Sequence, residues 1–161
     1  MVIILCGVAG SGKSTIGKTL SEKLNYSFHE GDDYHSAENI TKMKKGIPLS
    51  DSDRFEWLTN LNQKISIWNK QGNAILACSA LKKNYRKILA QGNQVTYIFL
   101  MGEKTLINKR FPKRKGHFFP IELLQSQFDI LEVPTCGIHV SIKNSVENIT
   151  DQILEALIIY S

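Results

Sequence analysis

Short unbroken runs of apolar residues recur along the chain. Such runs are typical of strands buried on both faces of a parallel sheet, and they occur at residues 2–6, 73–78, 94–101 and 138–142, with 27–30 as a fifth candidate. Between the runs, apolar residues such as Ile16, Leu20 and Leu24 recur at spacing four, which predicts a helix with one buried face. Helices are predicted over residues 13–24, 37–45, 52–70, 81–90, 103–111, 120–131 and 146–159.

The order of these elements predicts the fold class. Strands that alternate with helices form right-handed βαβ units, so we expect an α/β fold with a five-stranded parallel sheet flanked by helices. With 161 residues and no repeat or linker, the chain is predicted to form a single domain over residues 1–161. A composition of 42% hydrophobic and 22% charged residues is typical of a globular protein with a packed core.

Apolar run lengths and cysteine usage limit the cellular setting. No run reaches the roughly 18 apolar residues that a membrane span needs, so we expect no membrane partner. The three cysteines are an odd number without the spacing of metal ligands, which favours reduced thiols over a disulfide framework. Both observations predict a cytoplasmic protein.

A glycine-rich turn follows the first predicted strand and opens the first predicted helix. Residues 7–14 read GVAGSGKS and match the phosphate-binding pattern G-x-x-x-x-G-K-[ST] in its required context. Curled backbone N–H groups and the helix N-terminus would bind the phosphates of ATP, while Lys13 would reach the β and γ phosphates and Ser14 would ligate Mg²⁺. The predicted ATP-binding residues are Gly7, Val8, Ala9, Gly10, Ser11, Gly12, Lys13, Ser14 and Thr15. Switches, motors and small-molecule kinases all use such a turn, so the acceptor must be identified elsewhere.

Two carboxylates and an imidazole follow the second predicted strand, as Asp32, Asp33 and His35. They come at the carboxyl end of a parallel strand, where ligands of such sheets bind. Asp32 is therefore a candidate for accepting or orienting the proton of an acceptor hydroxyl. Alternatively, both aspartates are turn residues with no chemical role.

The start of the long helix predicted at 52–70 contains two acids with a possible structural role and one candidate ligand. Ser50 and Asp53 resemble a capping box, and acids in a first turn suit the helix dipole, so a purely structural role is one interpretation of Asp51 and Asp53. Arg54 opposes the dipole in the same turn, which makes it a candidate anion ligand.

Lysines and an arginine also begin the helix predicted at 81–90, behind Ser79 as the candidate N-cap. Lys82 and Arg86 share one face as a like-charge pair that costs about 0.2–0.5 kcal/mol. A charge-assisted hydrogen bond to an anion contributes about 1.5–3 kcal/mol and would outweigh this cost. We therefore expect Lys82 and Arg86 to bind an anion.

A third basic cluster covers residues 109–120 and is interrupted by Pro112 and Gly116. A helical segment that repels itself when empty and closes over phosphates would serve as a phosphoryl-transfer lid, since its arginines neutralise charge and exclude water. We predict a mobile lid at about residues 103–119. A basic surface loop is the alternative.

Four segments together resemble the gluconate kinases of the thermoresistant type, within the nucleoside-monophosphate-kinase-like and shikimate-kinase-like P-loop fold. The matching segments are GVAGSGKST, EGDDYHSAENITKMKKGIPLSDSDRFEWL, ACSALKKNYRKIL and RKGHFFPIELLQSQFDILEVP. The resemblance implies transfer of the γ-phosphate of ATP to the 6-hydroxyl of D-gluconate, and a homodimer. The acceptor contacts that it implies are Asp32, His35, Arg54, Ser79, Lys82, Arg86, His117 and Gln127. The phosphate and transition-state contacts that it implies are Lys13, Arg110 and Arg114, with Asp32 as the further catalytic residue.

Other functions remain open at this point. Shikimate or a nucleoside monophosphate could be the acceptor, although the acids and the imidazole between Asp32 and Arg54 do not resemble a second nucleotide pocket. From a different class, the net charge of +5 could serve an ATP-binding switch or an RNA-binding module, although we expect no nucleic-acid partner. ADP release that depends on gluconate, and not on RNA, would distinguish the two classes.

Overall fold

The computed structural model describes residues 1–110 and 121–160 of the chain. Its strands are β1 (Val2–Cys6), β2 (Ser27–Glu30), β3 (Ala74–Ala77), β4 (Val95–Met101) and β5 (Ile138–Ser141). Its α-helices are α1 (Lys13–Leu24), α2 (Ala37–Lys44), α3 (Asp51–Gln71), α4 (Lys83–Ala90), α5 (Lys104–Arg110), α6 (Ile121–Ile130) and α7 (Val146–Tyr160). A short 3₁₀ turn, Gly31–Tyr34, directly follows β2.

The five strands form one parallel sheet in the order β2-β3-β1-β4-β5. This confirms the predicted α/β fold with a five-stranded parallel sheet. β1 lies in the centre, so the glycine-rich turn that follows it emerges at the middle of the carboxyl edge. The strands on either side of β1 are β3 and β4, which are not its neighbours in sequence, and ligands of open parallel sheets bind at such a point.

Alternation along β1 divides the core into two layers. Ile3 and Leu5 pack on one face with Ile16 of α1 and Ile153 of α7, all of them buried. The remaining residues of β1 pack on the other face, against apolar side chains of α3 and α4. Because every residue of β1 is buried, the unbroken apolar run in the sequence matches its place between two layers of helices.

The beginning of α4 differs from the prediction. The N-cap is Lys82 and not Ser79, and the helix begins at Lys83. Ala80 takes a left-handed backbone conformation with φ of 43°, which separates Ser79 from the helix. The carbonyl of Ser79 instead accepts a hydrogen bond from the N–H of Gly7 at 3.3 Å, so this residue continues the line of β3 beside β1.

The predicted lid at about 103–119 overlaps the described residues only at α5. Its remaining part lies outside them, and the lid stays a prediction. Among the described residues, no helix combines the length and the apolar character that a membrane span would need.

Candidate active site

A large cavity of about 860 Å³ opens at the carboxyl edge of the sheet. It is lined by residues from the glycine-rich turn, from the 3₁₀ turn, and from the beginnings of α1 and α3. The expected site residues that line it are Ala9, Gly10, Lys13, Ser14, Thr15, Asp32, His35, Arg54, Ser79 and Gln127. One cavity therefore holds most of the residues expected to bind ATP and several of those expected to bind the acceptor.

The backbone of the glycine-rich turn needs glycine at particular positions. Gly10 and Gly12 have φ of 82° and 96°, which lie in the left-handed region. A Cβ on Gly7 would lie 2.7 Å from the Oγ of Ser11 and 3.0 Å from the carbonyl oxygen of Leu100, so no larger residue fits. In the described part of the chain no side chain caps the start of α1, and its first N–H groups are therefore available for an anion.

The ammonium of Lys13 lies over this turn. Its Nζ donates to the carbonyl oxygens of Gly7 at 2.9 Å and Val8 at 3.0 Å. The positive charge is thus held at the mouth of the turn, beside the start of α1.

Gln127 connects α6 to the same turn. The backbone N–H of Ala9 donates to the Oε1 of Gln127 at 2.7 Å. Gln127 also lines the large cavity, so its carboxamide lies between the turn and the cavity.

Asp32 and His35 also line the cavity, in and just after the 3₁₀ turn. The side chain of Asp32 is 79% exposed, whereas that of His35 is only 4% exposed. The imidazole stacks on the indole of Trp57 with ring centroids 4.2 Å apart, and the Nε1 of Trp57 donates to the carbonyl oxygen of Gly31 at 2.8 Å. Trp57 therefore fixes both the turn and the ring beside it.

The environment of His35 keeps the imidazole uncharged. Its pKa is lowered to about 4, mainly by burial; the nearby carboxylate of Asp32 acts in the opposite direction, and the positive charge of Arg54 adds to the lowering. The Nε2 of His35 lies 3.9 Å from the Oδ1 of Asp32. Near pH 7 the contact is therefore between a neutral imidazole and the side chain of Asp32.

Arg54 borders the cavity from the first turn of α3. Its Nη1 donates to the carbonyl oxygen of Leu49 and to the hydroxyl of Tyr85, the latter at 3.4 Å. The guanidinium carbon lies 5.6 Å from the centre of the Tyr85 ring. These contacts fix the direction of the cation while it remains on the cavity wall.

Asp51 and Asp53, the acids at the start of α3, have structural roles, which was one of the interpretations of the sequence. Ser50 and Asp53 form a capping box, which confirms the pattern seen in the sequence. Lys42 lies 2.8 Å from Asp53, and this hydrogen bond, together with those from Ser50, lowers the pKa of Asp53 to about 2. Asp51 accepts hydrogen bonds from Lys82 and from the hydroxyl of Tyr85.

Lys82 and Arg86 do not line the large cavity, in contrast to our expectation. The Nζ of Lys82 lies 2.9 and 3.1 Å from the two carboxylate oxygens of Asp51. Arg86 is 9% exposed, and its guanidinium donates to backbone carbonyl oxygens. The acceptors are those of Ala80 at 2.8 Å, Leu81 at 3.0 Å and Glu132 at 3.1 Å. Both cations thus have protein partners in the place of the expected anion, and we leave them out of the acceptor site.

The arginines expected in the lid are only partly described. Arg110, the last residue of α5, donates from Nη2 to the carbonyl oxygen of Ile142 at 2.7 Å and does not line the large cavity. Arg114 and His117 lie outside the described residues.

Three residues that shape the site were not singled out from the sequence. Trp57 carries the His35 ring, Asn39 connects α2 to α3, and Glu132 connects the end of α6 to α4. A tryptophan on the apolar face of a predicted helix gives no signal for such a role, because core packing explains it equally well. The other two act through backbone groups distant in sequence, so no spacing rule reveals them.

Comparisons with known proteins find relatives among small-molecule kinases. The shikimate kinase family profile matches residues 9–117. The "Probable gluconokinase" of Mus musculus is 44% identical, with 97% of each chain covered. The "Thermoresistant gluconokinase" of Escherichia coli K12 is 40% identical over 83% of this chain and 77% of its own length. A solved gluconokinase from Sinorhizobium meliloti 1021 superposes with a TM-score of 0.87 and 36% identity, covering 99% of this chain and 92% of that one.

Proposed function

We propose that this chain, which belongs to the gluconokinase family of shikimate-kinase-like P-loop kinases, transfers the γ-phosphate of ATP to the 6-hydroxyl of D-gluconate. The products are 6-phosphogluconate and ADP. The observation that carries the proposal is the single cavity in which the glycine-rich turn, Lys13 and Asp32 meet. Full-length similarity to gluconokinases favours gluconate over shikimate as the acceptor.

The donor side of the reaction is assigned to residues 7–15. Backbone N–H groups at the start of α1 would bind the phosphates of ATP, and the ammonium of Lys13 would move from the carbonyls of the turn to the β and γ phosphates. The carbonyl oxygens of Gly7 and Val8 hold the Lys13 ammonium at the turn, so it would move only a short way to reach the phosphates. This arrangement lowers the reorganisation that binding requires.

The acceptor side is assigned to Asp32, His35, Arg54, Ser79 and Gln127. Asp32 is an exposed carboxylate that lines the cavity, and it would orient the 6-hydroxyl and accept its proton as the phosphoryl group transfers. Arg54 would hold the carboxylate of gluconate, because among the described residues it is the arginine that lines the cavity.

Mg²⁺ is expected to bind with the nucleotide. Ser14, the residue after Lys13, also lines the cavity, and its hydroxyl would serve as a protein ligand. Among the described residues no group of three or more His, Cys, Asp or Glu side chains is placed to hold a metal ion. This agrees with the preference of Mg²⁺ for few protein ligands, several waters and substrate phosphates. When bound, the ion would neutralise charge on the β and γ phosphates.

The remaining sequence-based expectations stay predictions. They are a homodimer, a cytoplasmic location, no nucleic-acid partner, a single domain over 1–161, and a lid that brings Arg110, Arg114 and His117 to the site.

A panel of acceptors tests the proposal. The purified protein is given saturating Mg-ATP with gluconate, shikimate, a nucleoside monophosphate, RNA or no acceptor, and ADP release is followed. We expect release that depends on gluconate, with a phosphate ester at the 6-position by ³¹P NMR. Gluconate-independent release, or release that depends on shikimate, would refute the proposed acceptor.

Paired variants test the assignment of Asp32. Asp32→Asn should lower kcat about a hundredfold or more, because general-base contributions are of this size. Asp33→Asn, the same change at the next position of the turn, should lose much less. Equal losses in the two variants would show that Asp32 has no special role.

A further inference from the structure

Asn39 is a buried polar residue of α2, only 5% exposed, that no step above has used. Its Nδ2 donates to the backbone carbonyl oxygen of Asp53 at 2.8 Å. A carbonyl oxygen only accepts hydrogen bonds, so the NH₂ end of the carboxamide must face it. The backbone of α3 thereby fixes which way the Asn39 side chain points.

The same NH₂ group also faces the imidazole of His35. The Nδ2 of Asn39 lies 3.4 Å from the Nδ1 of His35. With one hydrogen directed to Asp53, the second is directed to the ring, and an NH₂ group has no lone pair to offer. Nδ1 must therefore accept, and the single N–H of a neutral imidazole must lie on Nε2.

The packing around His35 keeps its two ring nitrogens in these positions. His35 is buried and stacked on Trp57, and its Nε2 faces the Oδ1 of Asp32 at 3.9 Å. The charged groups that act on the ring are Asp32 and Arg54, and together with burial they leave it neutral near pH 7. Asp32 is mostly exposed and is free to close the remaining distance.

We propose that Asn39 is a positioning residue that selects the Nε2–H tautomer of His35, so that the imidazole donates to one oxygen of Asp32 and directs the other oxygen to the acceptor hydroxyl. This role deepens the proposed phosphoryl transfer and rests on it. His35 thus acts through Asp32, whereas the sequence resemblance implied that it contacts the acceptor. A neutral donor orients the carboxylate and leaves its charge in place for the incoming proton.

The tautomer is measured directly in the wild-type protein. In ¹⁵N-labelled histidine samples, two-bond ¹H–¹⁵N correlation spectra distinguish the two neutral tautomers, and His35→Gln assigns the signal. We expect the hydrogen on Nε2 at pH 7. A hydrogen on Nδ1 would overturn the proposal, whether or not the protein phosphorylates gluconate.

Asn39→Asp tests the cause with almost no change in shape. A carboxylate only accepts, so it would draw a proton to Nδ1 and leave His35 as the Nδ1–H tautomer or as the cation. We expect kcat for gluconate to fall about tenfold or more, with KM for ATP within about twofold of wild type. The control is Asn60→Asp, which adds the same charge on α3 in the groove that Asn39 also lines, and which should behave as wild type.

The outcomes separate this role from a purely structural one. If Asn39 only connects α2 to α3, Asn39→Asp will lower the unfolding midpoint without moving the tautomer or kcat, and the proposal fails. If Asn39→Asp does not fold, Asn39→Ala replaces it, and both tautomers should then be populated with a smaller loss of kcat. Wild-type kcat in a folded variant whose tautomer has changed would also refute the role.

Discussion

Arg86 offers the sharpest test of how this site is built. The sequence suggested an anion ligand, whereas the structure surrounds the guanidinium with the carbonyl oxygens of Ala80, Leu81 and Glu132. Arg86→Met keeps most of the side-chain volume and removes every donor. The variant therefore asks whether Arg86 supports the fold or binds the substrate.

The expected loss of stability follows from the three contacts. The carbonyls of Ala80 and Leu81 are bonded in a buried setting, and the contact with Glu132 is partly buried, so water can replace only the last donor easily. An unsatisfied buried group costs about 1–3 kcal/mol, so we expect the free energy of unfolding to fall by about 3 kcal/mol or more. A domain of ordinary stability, about 5–15 kcal/mol, would still be folded at low temperature.

Urea unfolding and steady-state kinetics together make the measurement. Lys87→Met, the same change at the next, exposed residue of α4, is the control and should stay within about 0.5 kcal/mol of wild type. At a temperature where Arg86→Met is folded, its KM for gluconate should be within about twofold of wild type. Wild-type stability combined with a KM raised tenfold or more would refute the reasoning and return Arg86 to the acceptor site.

Three further predictions follow from single contacts. Lys13→Ala should nearly abolish turnover without changing the unfolding midpoint, and unchanged turnover would refute the assignment of the turn. Burial lowers the pKa of His35 to about 4 from an ordinary value near 6.5, so the unfolded chain protonates first, and stability should fall by about 3 kcal/mol as the pH falls from 6.5 to 4. Urea unfolding of His35→Gln over the same pH range should show a shallower loss. In Gly31→Ala, the added Cβ would lie 2.7 Å from the carbonyl oxygen of Ala77 and displace the turn that holds Asp32, so kcat should fall while ATP still binds in a fluorescence titration.

Much of the fold could be predicted because its signals are local. β1 and α1 begin and end at the predicted residues, since a strand buried between helical layers needs a continuous apolar run, and the glycine-rich turn separates the two elements. β2 also has the predicted bounds, although this edge strand is not buried. The start of α4 could not be predicted in the same way. The left-handed backbone conformation of Ala80 shifts the start of this helix to Lys83, and alanine has no preference for that conformation.

The location of the candidate site residues could be predicted where one motif carries its own geometry. The pattern and its context placed residues 7–15 between β1 and α1, and Asp32 was placed by its position after the end of β2. The partner of Arg86 could not be predicted from the sequence. An arginine that donates to backbone carbonyls and an arginine that binds a ligand look the same at this position. The choice depends on Glu132, which lies 46 residues further along the chain.

Glu132 also connects Arg86 to α6, the helix that contacts the glycine-rich turn. Its N–H donates to Leu81 and its carboxylate accepts from the N–H of Lys83, so the end of α6 is held to α4 at several points. Gln127 lies five residues earlier, in the last turn of α6, and its contact with Ala9 depends on where α6 is held. Loosening Glu132 would therefore move a carboxamide at the glycine-rich turn before it moved anything near Asp32. For this reason, any kinetic effect of Arg86→Met should be larger in KM for ATP than in KM for gluconate, which should stay within about twofold of wild type.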